Sequence, residues 1–248
     1  MEKKLLGKVA FVTGASKGIG RGIAIEFGKA GAFVLVGYNR DYEGAFKTVD
    51  MIKELGGSAE VLGGNIAKKD HRENMISTIK KKFGKLDILV NNAGVSKVGL
   101  FMDATDDELD YVMNVNLISV MKFTRDSMDL LRNGKNPSVI NISSIWGNVG
   151  ASCEVIYSST KGGLNLFTKA LAKEISPWGI RVNAIAPGVI NTEMNAWLSS
   201  DEKSALEEEI PMNRFGEVDE IGKTSVFLSS DDSSYLTGQI ITIDGGML

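Results

Sequence analysis

The amino-acid sequence predicts a doubly wound α/β fold, in which a parallel β-sheet is covered by helices on both faces. Two observations predict it. Short apolar runs alternate along the chain with longer amphipathic segments, as repeated βαβ units require. The first apolar run leads into a glycine-rich turn, which is followed by a helical pattern. Because the 248 residues contain neither a linker-like stretch nor an internal repeat, we expect a single domain over 1–248.

Seven apolar runs are the predicted strands. They are too short for typical helices, and several are continuous or nearly continuous apolar runs that contain Val or Ile, as strands buried on both faces are. Right-handed crossovers between them give a Rossmann-like, three-layer α/β/α architecture that binds ligands at the carboxyl ends of its strands. The predicted strands are Val9–Val12, Phe33–Val36, Ser58–Leu62, Asp87–Val90, Val139–Ile142, Arg181–Ile185 and Ile240–Ile243.

Amphipathic segments between these runs are the predicted helices. In the first of them, Ile23, Ala24 and Phe27 recur at the spacing that places side chains on one helix face. The same periodicity is present in the later segments. The predicted helices are Ile19–Lys29, Tyr42–Leu55, 68–83, 106–132, 155–174 and 217–229.

The composition excludes several classes of protein. A single Cys and a single His leave no disulfide framework and no zinc or multi-histidine metal centre. The net charge of −3 does not favour a nucleic-acid surface. No apolar stretch is long enough for a signal peptide or a membrane span. The sequence therefore predicts a cytoplasmic protein without a metal, a nucleic-acid partner or a membrane partner.

The segment Thr13–Gly20 joins the first strand to the first helix and contains Gly14, Gly18 and Gly20. Glycines allow the backbone to approach a diphosphate closely, and the helix N-terminus offers unpaired N–H groups to the phosphates. The Gly-x-x-x-Gly-x-Gly spacing differs from a Walker loop. The turn predicts a dinucleotide site, and a purely structural glycine turn is the alternative.

The end of the second strand indicates which dinucleotide is bound. An acidic residue at this position binds the adenosine ribose hydroxyls and repels an additional phosphate. Here Asn39 and Arg40 follow the strand, and the first acid is Asp41. Lys17 in the glycine turn is a second cation, and an arginine binds a phosphate bidentately. The sequence therefore predicts NADP(H) rather than NAD(H).

Three residues with complementary chemistry follow the fifth predicted strand. Ser143 and Ser144 come directly after it, Tyr157 lies thirteen residues after Ser144, and Lys161 four residues after Tyr157. Tyr157 and Lys161 share one helix face at this spacing. A nearby ammonium favours the phenolate and lowers the pKa of a tyrosine. We expect this effect at Tyr157, which makes proton exchange with a carbonyl or alcohol oxygen feasible.

Taken with the glycine turn, these residues make the sequence resemble the short-chain dehydrogenase/reductase family over nearly its whole length. The resemblance implies that Tyr157 protonates the carbonyl oxygen and that Ser144 hydrogen-bonds it. It further implies that Lys161 lowers the pKa of Tyr157 and holds the nicotinamide ribose, while Asn116 positions a water that links Lys161 to solvent. The matching segments are Thr13–Gly20, Asn91–Gly94, Asn116, Ser144, Tyr157 with Lys161, Pro187–Gly188, Thr237–Gln239 and Asp244–Gly246.

The same resemblance implies a set of NADP(H) contacts spread over the carboxyl ends of several strands. Asn65 and Ile66 match the position that contacts the adenine. The full set is Gly14, Ser16, Lys17, Gly18, Ile19, Gly20, Asn39, Arg40, Asn65, Ile66, Asn92, Ala93, Gly94, Tyr157, Lys161, Pro187, Gly188, Ile190 and Thr192.

Within the family the sequence is most similar to bacterial 3-oxoacyl-acyl-carrier-protein reductases. That likeness implies a homotetramer which transfers a hydride from NADPH to the keto group of a 3-oxoacyl thioester in fatty-acid biosynthesis. Two alternatives remain open. One is an NADP-dependent reductase or dehydrogenase of another compound, such as a steroid, a sugar or a small ketone. The other is a nucleotide-sensing protein without turnover, against which the intact Ser144, Tyr157 and Lys161 argue.

Two segments bear on the substrate. Reductases that dock an acidic carrier protein often carry a basic residue just after the Tyr/Lys helix, where this sequence has Ser176–Trp178. This difference weakens the expectation of a carrier-protein partner, unless Arg132 and Lys135 compensate. The segment Ile190–Met212 is expected either to close over the site as a lid or to form an ordinary surface helix.

Overall fold

The computed structural model, which describes residues 3–193 and 198–248, confirms the predicted sheet. Seven strands pair in parallel in the order β3-β2-β1-β4-β5-β6-β7. The order reverses between β1 and β4, which is the switch point where doubly wound sheets bind their ligands. The strands are β1 (Val9–Val12), β2 (Phe33–Tyr38), β3 (Ser58–Gly63), β4 (Ile88–Asn91), β5 (Ser138–Ile142), β6 (Arg181–Pro187) and β7 (Ile240–Ile243).

The helices lie on both faces of this sheet, and all the predicted helical segments are helical in the structure. None of the helices in the described ranges is long and apolar enough to cross a membrane. The helices are α1 (Gly18–Lys29), α2 (Tyr42–Glu54), α3 (Lys69–Phe83), α4 (Asp106–Met113), α5 (Ser119–Asp126), α6 (Met128–Arg132), α7 (Trp146–Val149), α8 (Val155–Ile175), α9 (Ser200–Glu208) and α10 (Val218–Ser229).

The prediction of one uninterrupted helix over 106–132 was wrong in detail. A five-residue π-helical turn, Asn114–Ile118, separates α4 from α5, and Ser127 separates α5 from α6. A π turn widens the helix by one residue per turn and interrupts its i→i+4 hydrogen bonds, often at a functional site. Asn116 lies in the middle of this turn.

One short helix, α7, was missed by the sequence prediction, and a second, α9, lies in the segment 190–212, for which a surface helix was one of the two expectations. The helix α7 has only four residues, which is too few to show a periodic pattern. The helix α9 buries none of its residues and therefore has no apolar face to detect. Its N-terminus is fixed instead by a capping box, in which Ser199 and Glu202 each accept a hydrogen bond from the other's backbone N–H.

The core consists of two apolar layers, one on each face of the sheet. The strand β1 shows why, because its alternate side chains enter opposite layers: Ala10 and Val12 pack on one face and Val9 and Phe11 on the other. All four residues are buried. Burial on both faces accounts for the continuous apolar runs in the sequence.

The helix α1, which carries the glycine turn at its N-terminus, packs closely against α10. A Cβ at Gly22 would lie 2.6 Å from the carbonyl oxygen of Val218, and a Cβ at Gly222 would lie 2.8 Å from that of Gly22. These glycines let the two helix backbones approach each other more closely than any larger residue would allow. The contact fixes α1, and with it the glycine turn, against the sheet.

Gly22→Ala is expected to lower the free energy of unfolding by about 1–3 kcal/mol, because the added methyl group meets backbone atoms that must move. Gly162→Ala, inside α8, is the matched control. Its Cβ would have its nearest neighbour at 3.5 Å, and alanine favours a helix over glycine by roughly 0.5–1 kcal/mol. Denaturant unfolding of both variants measures the difference, and a loss of stability in Gly162→Ala equal to that in Gly22→Ala would contradict this packing.

Candidate active site

The candidate residues from distant parts of the sequence lie at the carboxyl edge of the sheet. Residues that follow β1, β2, β4, β5 and β6 reach this edge because parallel strands all end on the same side. The candidates form three groups. One lies around the first turn and the loops after β4 and β6, one lies after β2 and β3, and one consists of Ser144, which follows β5, with Tyr157 and Lys161 on α8.

The glycine turn has the geometry that a bound diphosphate requires. Gly14 and Gly18 have φ values of +64° and +55°, in the left-handed region that favours glycine. A Cβ at Gly20 would lie 2.3 Å from the carbonyl oxygen of Gly14, so this position is closed by packing. A Cβ at Gly18 would meet nothing nearer than Thr192 Cγ2 at 3.7 Å, so the space beside Gly18 is open.

The N-terminus of α1 supplies the donors for such a group. Lys17 occupies the N-cap position, and no side chain caps the helix. The first N–H groups of a helix have no partner within the helix, and its dipole favours an anion there. An uncapped helix N-terminus beside an open glycine fits a phosphate group, with the backbone of Ser16, Lys17, Gly18 and Ile19 as its cradle.

Thr13 joins the glycine turn to the loop after β4. Its Oγ1 accepts hydrogen bonds from the backbone N–H of Asn92 at 2.9 Å and of Ala93 at 3.0 Å. The Asn92 side chain donates to the carbonyl oxygens of Thr13 and Gly14. The predicted cofactor residues Asn92 and Ala93 therefore lie directly beside the first turn. Sequence reasoning missed Thr13 as the residue that holds them.

The two cations predicted to select NADP(H) have different surroundings. Arg40 is exposed at the end of β2, next to Asn39. Lys17 forms an ion pair with Glu193, with its Nζ 2.9 Å from Oε2. Asp41 caps α2 by accepting a hydrogen bond from the Gly44 backbone. That hydrogen bond holds the pKa of the Asp41 carboxyl below its usual range, as do a hydrogen bond with Ser16 and the charge of Lys17. Arg40 is thus available to a ligand, whereas Lys17 has a competing carboxylate.

Asn65 and Ile66 follow β3, as an adenine-contacting position requires. The Asn65 backbone N–H donates to His71 Nδ1 at 3.0 Å, and its side-chain oxygen accepts from the Ala67 N–H at 2.9 Å. Ile66 is buried in the core, and its carbonyl accepts a hydrogen bond from Arg72. The single histidine, His71, therefore holds the Asn65 backbone in place.

The end of β6 brings the last predicted cofactor residues to the same edge. The Pro187 carbonyl accepts a hydrogen bond from the Ile145 N–H at 3.0 Å, and the Gly188 N–H donates to Ile243 at 2.9 Å. Ile190 is buried, and Thr192 faces Gly18 across the first turn. Part of the predicted lid, Met194–Trp197, lies outside the described residues, and α9 forms its second half.

Lys161 connects the catalytic candidates to the sheet. Its side chain is only 4% exposed, and its Nζ donates to the carbonyl oxygen of Ile142, the last residue of β5, at 2.8 Å. One turn earlier on α8, the ring centroid of Tyr157 lies 5.4 Å from this nitrogen. Farther along α8, Thr168 accepts a hydrogen bond from Asn141 of β5 at 2.8 Å. The helix is therefore held against β5 at two levels.

Ser144 lies beside Tyr157, as the sequence predicts. It is 6% exposed, and its Oγ accepts a hydrogen bond from the Trp146 N–H at 3.2 Å. A hydrogen bond between the Ser144 and Tyr157 side chains favours the phenolate. Two hydroxyl groups and one ammonium are thus placed close together, which is an arrangement able to exchange a proton with a carbonyl oxygen.

The expected direction of the Tyr157 pKa shift was wrong. Burial raises the pKa of Tyr157 to about 12, the hydrogen bond with Ser144 opposes this rise, and the charge of Glu154 adds to it. Burial also lowers the pKa of Lys161 to about 8. The cause is that desolvation disfavours both charged forms, and at Tyr157 it outweighs the hydrogen bond with Ser144. At neutral pH the phenol therefore stays protonated and the amine stays mostly charged.

Asn116 is almost fully buried at 1% exposure, and its amide is engaged with the loop after β4. Its Oδ1 accepts from the Val95 N–H at 2.8 Å, and its Nδ2 donates to the Val95 carbonyl at 2.7 Å and to Thr160 at 3.4 Å. A Cβ at Gly94 would lie 3.3 Å from Asn116 Oδ1. The side chain thus anchors the loop that carries Asn92, Ala93 and Gly94, and its role in a proton relay stays a prediction.

Sequence reasoning also missed a carboxylate in the site. Glu154 directly precedes α8, and its Oε1 accepts a hydrogen bond from Ser96 Oγ at 2.6 Å. No sequence motif pointed to this contact, because Ser96 and Glu154 are 58 positions apart.

Within 3–193 and 198–248, no group of three or more His, Cys, Asp or Glu side chains is arranged to hold a metal ion.

The known proteins to which this chain is similar are described as reductases or dehydrogenases. The family model described as enoyl-(acyl carrier protein) reductase matches residues 14–248. The 3-oxoacyl-[acyl-carrier-protein] reductase FabG of Staphylococcus epidermidis is 39% identical over 98% of this chain and 99% of its own length. The protein of that name from Thermotoga maritima is 36% identical over 99% of both chains. The crystal structure of a dehydrogenase/reductase from Sinorhizobium meliloti superimposes with a TM-score of 0.93 at 33% identity, covering 99% of this chain and 97% of that one.

Proposed function

Because the chain belongs to the short-chain dehydrogenase/reductase family of oxidoreductases, which use a nicotinamide cofactor, we propose that it transfers a hydride from NADPH to the keto group of a 3-oxoacyl thioester. The observation that carries the proposal is the grouping of Ser144, Tyr157 and Lys161 at the carboxyl end of β5. The names of the curated relatives support the acyl thioester as substrate.

Tyr157 is the proposed proton donor. The cofactor supplies the hydride to the keto carbon, and the Tyr157 hydroxyl gives its proton to the carbonyl oxygen, so that the ketone becomes a secondary alcohol. Its raised pKa of about 12 keeps the phenol protonated at neutral pH, as a proton donor must be. Ser144 donates a hydrogen bond to the same oxygen and stabilises the negative charge that develops there.

Lys161 is proposed to stabilise the phenolate that forms when Tyr157 gives up its proton. The Lys161 Nζ lies 5.4 Å from the centroid of the Tyr157 ring. With this distance and an effective dielectric constant of about 20, an ammonium stabilises a phenolate by roughly 3 kcal/mol. Because Lys161 is buried and held by Ile142, this charge does not have to reorient during the reaction.

NADPH is the proposed cofactor rather than NADH. Arg40 is exposed at the end of β2, the position next to the adenosine ribose in this fold, and Asn39 stands there instead of an acid. A guanidinium binds a phosphate group through two parallel hydrogen bonds. Lys17 adds a second positive charge once its pairing with Glu193 is exchanged for the phosphate.

Delivery of the substrate by an acyl carrier protein is supported by the names of the relatives. Arg132 and Lys135 are the two cations that could replace the basic residue expected after the Tyr/Lys helix. Both precede β5, and Trp178 precedes β6, so all three lie at the amino edge of the sheet, on the opposite side from the site. Arg132 stacks on the Trp178 ring at 5.0 Å, which gives both residues a local packing role.

A homotetramer is the proposed assembly. Large apolar side chains are exposed on α4, α5 and α8, where Tyr111 is 57%, Met121 42% and Leu166 68% accessible. Exposed apolar surface of this kind is typical of protein–protein interfaces. A second copy of the chain is the proposed cover for these faces.

Tyr157→Phe is expected to lower kcat for the reduction of acetoacetyl thioester by NADPH at least a hundredfold, because it removes the proton donor and nothing else from the ring. The decrease in NADPH absorbance measures the rate. Wild-type protein is assayed in parallel on a crotonyl thioester, a quinone, a sugar and a steroid ketone. A near wild-type rate in Tyr157→Phe would refute the mechanism, and wild-type activity confined to the compounds that are not 3-oxoacyl thioesters would refute the proposed substrate.

Arg40→Ala is expected to raise KM for NADPH about tenfold and to leave KM for NADH unchanged, since a charge-assisted hydrogen bond contributes about 1.5–3 kcal/mol. Lys47→Ala, which removes an exposed positive charge from α2, is the matched control and should change neither value. Steady-state kinetics with both cofactors provide the measurement. Equal catalytic efficiency of the wild-type enzyme with NADH and NADPH would contradict the cofactor proposal.

A further inference from the structure

Glu154 places an acidic group beside the proposed proton donor. It precedes the first residue of α8, three positions before Tyr157, so the two side chains lie within about one turn of each other. The Glu154 side chain is partly buried. The Glu154 charge raises the pKa of Tyr157, as a carboxylate near a phenol does.

The hydrogen bonds of Glu154 do not explain why an acid is present. A residue at this position often caps its helix, but Glu154 makes no side-chain capping hydrogen bond. Its carboxylate accepts one hydrogen bond, from the Ser96 hydroxyl, and a neutral amide oxygen would serve equally well.

The charge of Glu154 is not neutralised by an ion pair within the described ranges. The nearest cation along the chain from Ser96 is Lys97, and its ammonium pairs with Glu108 of α4 instead. Lys161, the cation on the same helix, donates to Ile142 in the sheet. Glu154 therefore places near Tyr157 a negative charge that no ion pair within the described ranges neutralises.

We propose that Glu154 is a specificity-determining residue, which selects neutral 3-oxoacyl derivatives and rejects the corresponding free 3-oxo acids. The inference rests on the proposed function and narrows its substrate class. In a 3-oxo acid the carboxylate is separated from the keto carbon by a single methylene group. When the keto oxygen contacts Tyr157 and Ser144, that carboxylate is held close to the Tyr157 side chain, on which the Glu154 charge acts. A thioester or an ester at the same place has no charge and is not repelled.

Two pairs of substrates test this selection. Ethyl acetoacetate and acetoacetate carry the same keto group, one in a neutral molecule and the other in an anion, and ethyl pyruvate and pyruvate form a second such pair. Glu154→Gln keeps the size of the side chain and an oxygen that accepts from Ser96, but removes the charge. We expect the ratio of kcat/KM for the anion to kcat/KM for the ester to rise about tenfold or more in Glu154→Gln.

Glu174→Gln is the matched control, because it removes an exposed carboxylate from the far end of the same helix. Its ratio should equal that of the wild-type enzyme. An unchanged ratio in Glu154→Gln would overturn the inference. Failure of the wild-type enzyme to reduce any neutral 3-oxo ester or thioester would instead refute the proposed function, and the pyruvate pair would still test the charge selection at Glu154.

Discussion

The hydrogen bond from the buried Lys161 ammonium to the carbonyl oxygen of Ile142 is the interaction on which the site depends. A charged amine is costly to bury unless its donors are paired, and here the end of β5 supplies an acceptor. The bond holds the start of α8 over the carboxyl end of the strand. Tyr157, one turn earlier, is thereby placed beside Ser144, which follows the same strand.

The same burial sets the chemistry of the pair. Desolvation raises the pKa of Tyr157 to about 12 and lowers that of Lys161 to about 8, because burial favours the uncharged form of each group. A protonated phenol beside an amine that is still mostly charged at neutral pH is suited to giving up a proton and then stabilising the resulting phenolate. In the proposed carbonyl reduction, the tyrosine begins as this protonated acid.

Much of the fold was predictable because each strand is buried on both faces and so appears as a short apolar run. The grouping of Ser144, Tyr157 and Lys161 was equally predictable, since strand ends and helical spacing place them. The π turn around Asn116 was not, because it leaves no periodic signal in the sequence. The direction of the Tyr157 pKa shift was missed because spacing shows proximity to Lys161 but not the extent of burial. The contact between Glu154 and Ser96 was missed because only the folded chain brings these residues together.

The most direct test of the central role of Lys161 is the single-turnover rate of NADPH oxidation by Lys161→Met with acetoacetyl thioester, measured alongside the unfolding midpoint. Methionine fills a similar volume without the charge, but it leaves the buried Ile142 carbonyl without this donor, which costs about 1–3 kcal/mol. We therefore expect a lower unfolding midpoint than that of the wild-type protein and a hydride-transfer rate about a hundredfold lower, since roughly 3 kcal/mol of phenolate stabilisation is removed. A folded Lys161→Met variant that transfers hydride at the wild-type rate would contradict this role of Lys161.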